Sequence, residues 1–263
     1  MAQESLQDIV AFLSSMPRYR RLIVQYETDP DDHSLWFELS FAYWLERDGY
    51  PLRYEVRANR ENETSVDFEL TRGERRLLFE LTRVERNDGI QAHIDAQTHD
   101  DGPFQGYDVL LSSDHQDPHF KTAAQAIRLQ EKILEKVPKF PDPTGNTTSW
   151  IVVDCSTIHE GMLDGADVEI VMYGKCHNPL FQEYWNGKRL VGMYEPKYSR
   201  RNSVEFKKKI DGILFVPELK PGGLKEAFVT LNPTCDSERR QQAFSDIKHV
   251  STFGDLRAVL PAP

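Results

Sequence analysis

Cysteine is scarce in this chain of 263 residues: Cys155, Cys176 and Cys235 stand far apart, odd in number and without a CxxC pair. That excludes a disulfide framework and the common zinc patterns, and makes a reducing compartment the simplest home. Long apolar runs are missing too. The opening MAQESLQDIVAFL has early acids, no basic leader and too short an apolar stretch for a signal peptide or membrane span. The chain therefore reads as cytoplasmic, with no membrane partner. No GxSxG elbow, P-loop or GxGxxG turn occurs, which removes serine-hydrolase, P-loop and dinucleotide chemistry. Repeats of solenoid length and low-complexity segments are absent as well.

Net positive charge is also lacking. At a formal net charge of -10 the chain is no generic nucleic-acid coat, because such binding rests on neutralising phosphates. A local basic groove is still allowed. KYSRRNSVEFKKK, residues 197 to 209, holds six basic residues against one acid, a pattern whose ordinary meaning is a solvated loop.

What is present suffices for a core: 39% hydrophobic, 11% aromatic and 28% charged residues mark a globular protein. The length suits one large α/β domain with additions. The expected division is an N-terminal helical extension over 1–30, an α/β domain over 31–235, and a C-terminal helix and tail over 236–263.

Residues 5 to 28 have helical spacing, and ETDPDDHS interrupts it with Pro30 and offers Asp31, Asp32 or Ser34 as the next cap. A second, largely buried helix follows in SLWFELSFAYWLERDGY and stops at Gly49. PLRYEVRA, TSVDFELTR and RRLLFELTRVE then read as a three-stranded meander, the last two strands joined through Gly73. After a polar stretch, YDVLLSS (107–113) has strand character, and PHFKTAAQAIRLQEKILEKVP is a helix that Pro138 ends. SWIVVDCS is an apolar run of the kind buried on both faces of a sheet. Two more strands, DGILFVP and KEAFVTLNP, and a closing helix, SERRQQAFSDIKHV, complete the order.

The pentapeptide FELTR occurs twice, at 68–72 and 79–83. Side chains alternate along a strand, so Asp67 and Glu69 share one face, and Glu80 shares another with Leu78, Thr82 and Val84. Antiparallel pairing through the RGERR turn can bring Asp67 close to Glu80. Two carboxylates so placed could bind a divalent metal, share protons for acid/base work, or pair with the surrounding Arg72, Arg75, Arg76, Arg83 and Arg86.

A helix ending in glycine, three strands with an Asp on the second and Glu-x-polar on the third, then a helix and a buried strand, together resemble the restriction-endonuclease-like superfamily, the PD-(D/E)xK nucleases. The resemblance spans roughly residues 33 to 156 and is one of motif and order. It implies an α-β-β-β-α-β core, a mixed central sheet flanked by helices, with N- and C-terminal additions. It also implies a nuclease that hydrolyses phosphodiester bonds, DNA foremost, with Mg²⁺ or Mn²⁺ held by Asp67 and Glu80. Glu38, eleven residues before Gly49, matches the supporting Glu that many members carry on the preceding helix; Glu46 competes for that place. Val66 replaces the motif Pro. Thr82 replaces the motif Lys and cannot supply its charge, so a cation must come from elsewhere, with Lys132 and Lys136 on the following helix as candidates, or activity is weak or absent.

On that following helix Phe120, Ala123, Ile127, Leu134 and Val137 form an apolar stripe that includes Gln130. A buried amide needs partners, so Gln130 either bonds internal backbone or reaches the site. The basic residues at 197–209 and along 121–139 would hold phosphates. The contrasting expectation is a silent binding or assembly module whose acids are paired with arginines. A homo-oligomer is left open by the sequence. His93, His99, His115 and His119 match no zinc spacing and read as solvated loop residues, and Cys155 as a small core filler.

Overall fold

The computed structural model describes residues 5–58, 64–85, 122–157, 165–177, 190–219, 223–253 and 256–260. The expected strand at 107–113, the first residues of the long helix and the four histidines just named lie outside them.

Three N-terminal helices come first: α1 (Leu6–Ser14), α2 (Arg20–Thr28) and α3 (His33–Arg47). Ser5 and Asp8 close a capping box on α1, which satisfies amides that have no partner inside the helix. Of the three residues offered as the cap of α3, Asp32 does the work, its carboxylate accepting from the Ser34 amide at 2.7 Å. Gly49 ends the helix at φ +84°, a left-handed conformation in which a side chain would be strained.

Next come β1 (Leu52–Val56), β2 (Val66–Arg72) and β3 (Arg75–Arg83), then α4 (Thr122–Lys136) and β4 (Thr147–Asp154). Beyond these lie α5 (Gly165–Tyr173), α6 (Ser203–Lys209), β5 (Gly212–Val216), β6 (Phe228–Leu231), α7 (Ser237–Lys248) and β7 (Arg257–Val259). The seven strands form one mixed sheet in sequence order. The pairs β1–β2, β2–β3 and β5–β6 are antiparallel, and β3–β4, β4–β5 and β6–β7 are parallel. The protein is thus an α/β protein with a seven-stranded mixed sheet flanked by helices. Both terminal segments join it: α1 packs on α3, and β7 extends the sheet.

Each face of the sheet is apolar because both are covered. Leu78, Ile151, Val153, Ile213 and Phe215 pack against α4, α5 and α6, while Phe68, Leu77, Phe79, Trp150 and Leu214 pack against α1–α3 and α7. Every residue of β4 is buried, as its uninterrupted apolar run requires. On α4 the buried stripe is Ala126, Leu129, Gln130, Ile133 and Leu134, followed by Val137, spaced by three and four residues. Ile127, expected in that stripe, is only half-buried. Among the described residues no helix is long and apolar enough to cross a membrane.

The hairpin between β2 and β3 turns through Gly73 at φ +56°. Its ladder runs from Arg72↔Arg75 to Phe68↔Phe79 and goes no further. On the other side of β2, the rung that would pair Glu55 with Asp67 is also missing, and Glu55 adopts φ +49°. Asp67 therefore stands where both ladders lapse.

Candidate functional site

At that lapse the Asp67 side chain does what a backbone carbonyl would otherwise do: Oδ2 accepts from the Leu81 amide at 2.7 Å. This fixes the carboxylate beside β3, on the face from which Glu80 projects. Glu80 is fully buried. Its Oε1 accepts from the Lys139 ammonium at 2.6 Å and from Lys136 at 3.0 Å. Its Oε2 is buried with no hydrogen-bond partner. The Lys139 ammonium also lies 3.8 Å from Asp67 Oδ1.

Glu38 completes the group from α3. Its Oε2 accepts from the Tyr54 hydroxyl at 3.0 Å, and its carboxyl feels the charges of Asp67, Glu80 and Lys136. Three acids from α3, β2 and β3 thus meet two lysines, Lys136 at the end of α4 and Lys139 in the short turn after it. The side chains of Asp67, Lys136 and Lys139 keep 16%, 25% and 29% of their surface, so Glu80 is the floor of the cluster and the others its walls.

Burial dominates the titration of all three acids. It pushes Glu38 up to about 8, with the Asp67 charge adding to the push and the Tyr54 hydrogen bond opposing it. Glu80 rises to about 7 through burial and the Asp67 charge, against the pull of Lys136 and Lys139. Asp67 is raised by burial, although Lys139, the Leu81 amide, Lys136 and the neighbouring Glu80 carboxyl pull it down. Lys139 is raised: burial lowers it, but the Glu80 and Asp67 charges outweigh that. Mutual repulsion in a dry place is what a cation would relieve.

Glu38, rather than Glu46, is the helical acid of this cluster. Glu46 is spent on Arg18, the Tyr19 hydroxyl and the Leu52 amide, and ties the N-terminal helices to β1. Of the lysines suggested by sequence, Lys136 is in the cluster, whereas Lys132 pairs with Glu135 at 3.2 Å. Sequence reasoning missed Lys139. The signal was there in KVPK, since a short turn after the helix carries a second lysine back to the same carboxylate.

Two further candidates stand differently. Gln130 is buried, but its amide donates to the Val171 and Val191 carbonyls, both at 2.9 Å. It tethers α4 to its neighbours, the first of the two roles open to it, and among the described hydrogen bonds none joins it to the carboxylates. Thr82 is buried on the Glu80 face, and among the described residues no hydrogen bond links its hydroxyl to the three acids.

The basic run at 197–209 corrects its loop reading in part, because it ends in α6. Its charges are largely engaged: Lys197 with Glu195, Arg200 with Glu131, Lys208 and Lys209 with Asp142. Lys207 and Lys209 donate to the Glu195 and Phe140 carbonyls. Of these contacts, Lys209 on the Phe140 carbonyl, with the pairs to Asp142, holds the chain just after the turn that presents Lys139.

The donor set suits a hard divalent cation, which takes carboxylate oxygens; Glu80 Oε2 has no donor, and because its carboxyl lies within hydrogen-bonding reach of Asp67, a shared proton would serve it as well as an ion. As the side chains stand, however, no three His, Cys, Asp or Glu residues among those described are grouped to hold one; a lysine ammonium lies among the acids. Two clefts of about 630 and 620 Å³ lie elsewhere, one beside the Gly73 hairpin and α7, the other between α4 and residues 200–202. Neither holds the carboxylates, and neither gathers reactive groups of comparable strain. Comparisons of this chain with protein-family models, with curated proteins and with solved structures found no match.

Proposed function

We propose that this chain is a metal-dependent nuclease of the restriction-endonuclease-like kind, hydrolysing phosphodiester bonds of nucleic acid, DNA foremost. One observation carries the reading. Acids distant in sequence, Glu38, Asp67 and Glu80, converge with lysines at a lapse in the sheet, although burial and mutual repulsion oppose it. Such strain is ordinarily kept where chemistry needs it. The order α3-β1-β2-β3-α4-β4 agrees with the core of that superfamily.

In this reading Asp67 and Glu80 hold Mg²⁺ or Mn²⁺ and Glu38 supports them. The ion, when bound, supplies an acidified water and offsets charge on the phosphate. The chain's own residues do the remainder. The Leu81 amide fixes Asp67, and Lys136 supplies the positive charge that Thr82 cannot. Lysine migrating from the strand to the following helix keeps the charge beside Glu80 while changing its backbone origin.

The test incubates purified protein with single-stranded, duplex and branched DNA and with RNA, with and without Mg²⁺ or Mn²⁺, beside Asp67→Asn and Glu80→Gln. Metal-dependent cleavage lost in both variants is the expected result. Cleavage that survives both would remove these residues from the chemistry.

A second reading keeps the fold without the activity. It is favoured by the double lysine contact on Glu80 Oε1, which already neutralises that carboxylate. No cleavage of any substrate and no metal binding by the wild-type protein would select it.

A further inference from the structure

Lys136 and Lys139 are not equivalent. Lys136 reaches Glu80 alone, at 3.0 Å, whereas Lys139 lies between the two acids, 2.6 Å from Glu80 and 3.8 Å from Asp67. A cation bridging Asp67 and Glu80 would need the oxygens that Lys139 now faces.

Lys139 also has an exit. It stands in the short turn Val137–Lys139 after α4, its side chain keeps 29% of its surface, and a flexible four-carbon stem lets an ammonium move to water without moving the backbone. The turn itself is held by Lys209 on the Phe140 carbonyl.

We propose that Lys139 is a built-in placeholder for the divalent cation: its ammonium bridges Asp67 and Glu80 in the metal-free chain and swings out when the ion binds, while Lys136 stays. The proposal rests on the metal-dependent reading and adds competition within the site to it. The placeholder lowers metal affinity, and it keeps the two carboxylates from forcing β2 and β3 apart when no ion is present.

The experiment has two arms. In the first, Mn²⁺ binding to wild type, Lys139→Met and Lys139→Gln is measured by titration calorimetry and by the loss of the free-ion electron paramagnetic resonance signal. Both variants are expected to bind on the order of tenfold more tightly than wild type, the effect of removing one competing charge. In the second, wild-type protein is amine-labelled with and without Mg²⁺ and digested for mass spectrometry, so no variant has to fold. Lys139 labelling is expected to rise several-fold with Mg²⁺ while Lys136 stays protected.

Wild type binding Mn²⁺ as tightly as the variants, with Lys139 labelling unchanged by Mg²⁺, overturns the placeholder and leaves the metal-dependent reading intact. Loss of cleavage in Lys139→Met without any gain in affinity does the same and makes Lys139 the catalytic cation. Failure of wild type and variants alike to bind metal, with no cleavage by wild type, overturns both.

Discussion

The two FELTR segments share five letters and little else. In the first, Glu69 lies on a closed rung of the hairpin, opposite Leu78, and takes Arg76 at 2.5 Å, Arg53 at 3.1 Å and the Thr71 hydroxyl at 3.3 Å. Burial pushes its carboxyl up, but the Arg76 hydrogen bond and the charges of Arg76 and Arg53 prevail and hold it below its ordinary value. In the second, Glu80 lies one residue past the last closed rung, beside another acid, and is held well above its ordinary value. One is a satisfied ion pair, the other a strained cluster. The difference comes from the neighbours across the strand: a leucine and two arginines in one case, Asp67 and a break in the ladder in the other. What a short peptide can do is set by which rung it occupies.

The sharpest way to break this contrast is substitution of the three acids. Asp67→Asn and Glu80→Gln are expected to lower metal-dependent cleavage by about 100-fold or more, the usual scale for losing a charge that faces the reacting phosphate. Glu69→Gln is expected to leave the rate within about threefold, because its partners are the solvated Arg53 of β1 and Arg76 of β3. Equal losses at Glu69 and Glu80 in single-turnover assays would make the two copies equivalent and end the distinction. Lys136→Met comes next, with an expected loss of about tenfold in kcat and little change in KM. A pure KM effect would instead place Lys136 in substrate binding.

Much of this contrast was legible in the sequence. Alternation in VDFEL and LLFELTRV gave the faces of β2 and β3, Gly73 gave the hairpin, and the spacing of Asp67 and Glu80 about that turn made them neighbours. Glu38 stood out because an acid amid Leu35, Ala42 and Leu45 has to find company. The choice between Glu38 and Glu46 was not legible, because both lie on the same apolar arc and only the chain end decides. Arg18 and Tyr19 come from a segment with no periodic relation to α3, and they claim Glu46. Nor was the fate of Gln130 legible, since its partners, the Val171 and Val191 carbonyls, are backbone atoms that any sequence would offer. The pairing of the basic run was not legible for a related reason: its partners Glu131, Asp142 and Glu195 are acids scattered over more than sixty residues.

Acid titration sharpens the comparison without any substrate. Glu38 and Glu80 have folded values of about 8 and about 7, above the ordinary 4.5. The folded state therefore binds more protons than the unfolded one between those limits, and the metal-free protein should lose stability as pH rises from about 4.5 to 8. Glu69 has the opposite sign: its contribution is present above its ordinary value and is lost as pH falls below it. Glu38→Gln, which keeps the Tyr54 hydrogen bond, is expected to raise stability at pH 8 by about 2 kcal/mol. Glu69→Gln is expected to lower it by about 1 kcal/mol, a figure discounted because Arg53 and Arg76 are solvated. Thermal melts in chelator at pH 5, 6.5 and 8 read both, and a Glu38→Gln protein no more stable than wild type at pH 8 would mean that the acid is not strained.

The smallest effects should come from the two threonines, which sit two residues after each glutamate and so on the same face. Thr71 donates to Glu69; Thr82 makes no such bond to Glu80 among the described residues, where lysines have taken the carboxylate instead. Valine keeps the β-branched shape and removes only the hydroxyl, so the stability of Thr71→Val should fall by less than about 1 kcal/mol, the net worth of one ordinary hydrogen bond. Thr82→Val should be within about twofold of wild type in cleavage rate, because in the proposed nuclease Lys136 on α4 supplies the charge that position lacks and the hydroxyl has nothing to replace. A fall of about tenfold or more in Thr82→Val with unchanged melting would instead place that hydroxyl on the substrate or on the water that attacks it. The two copies would then differ in a further respect: the first threonine would hold its own glutamate, and the second would hold the chemistry.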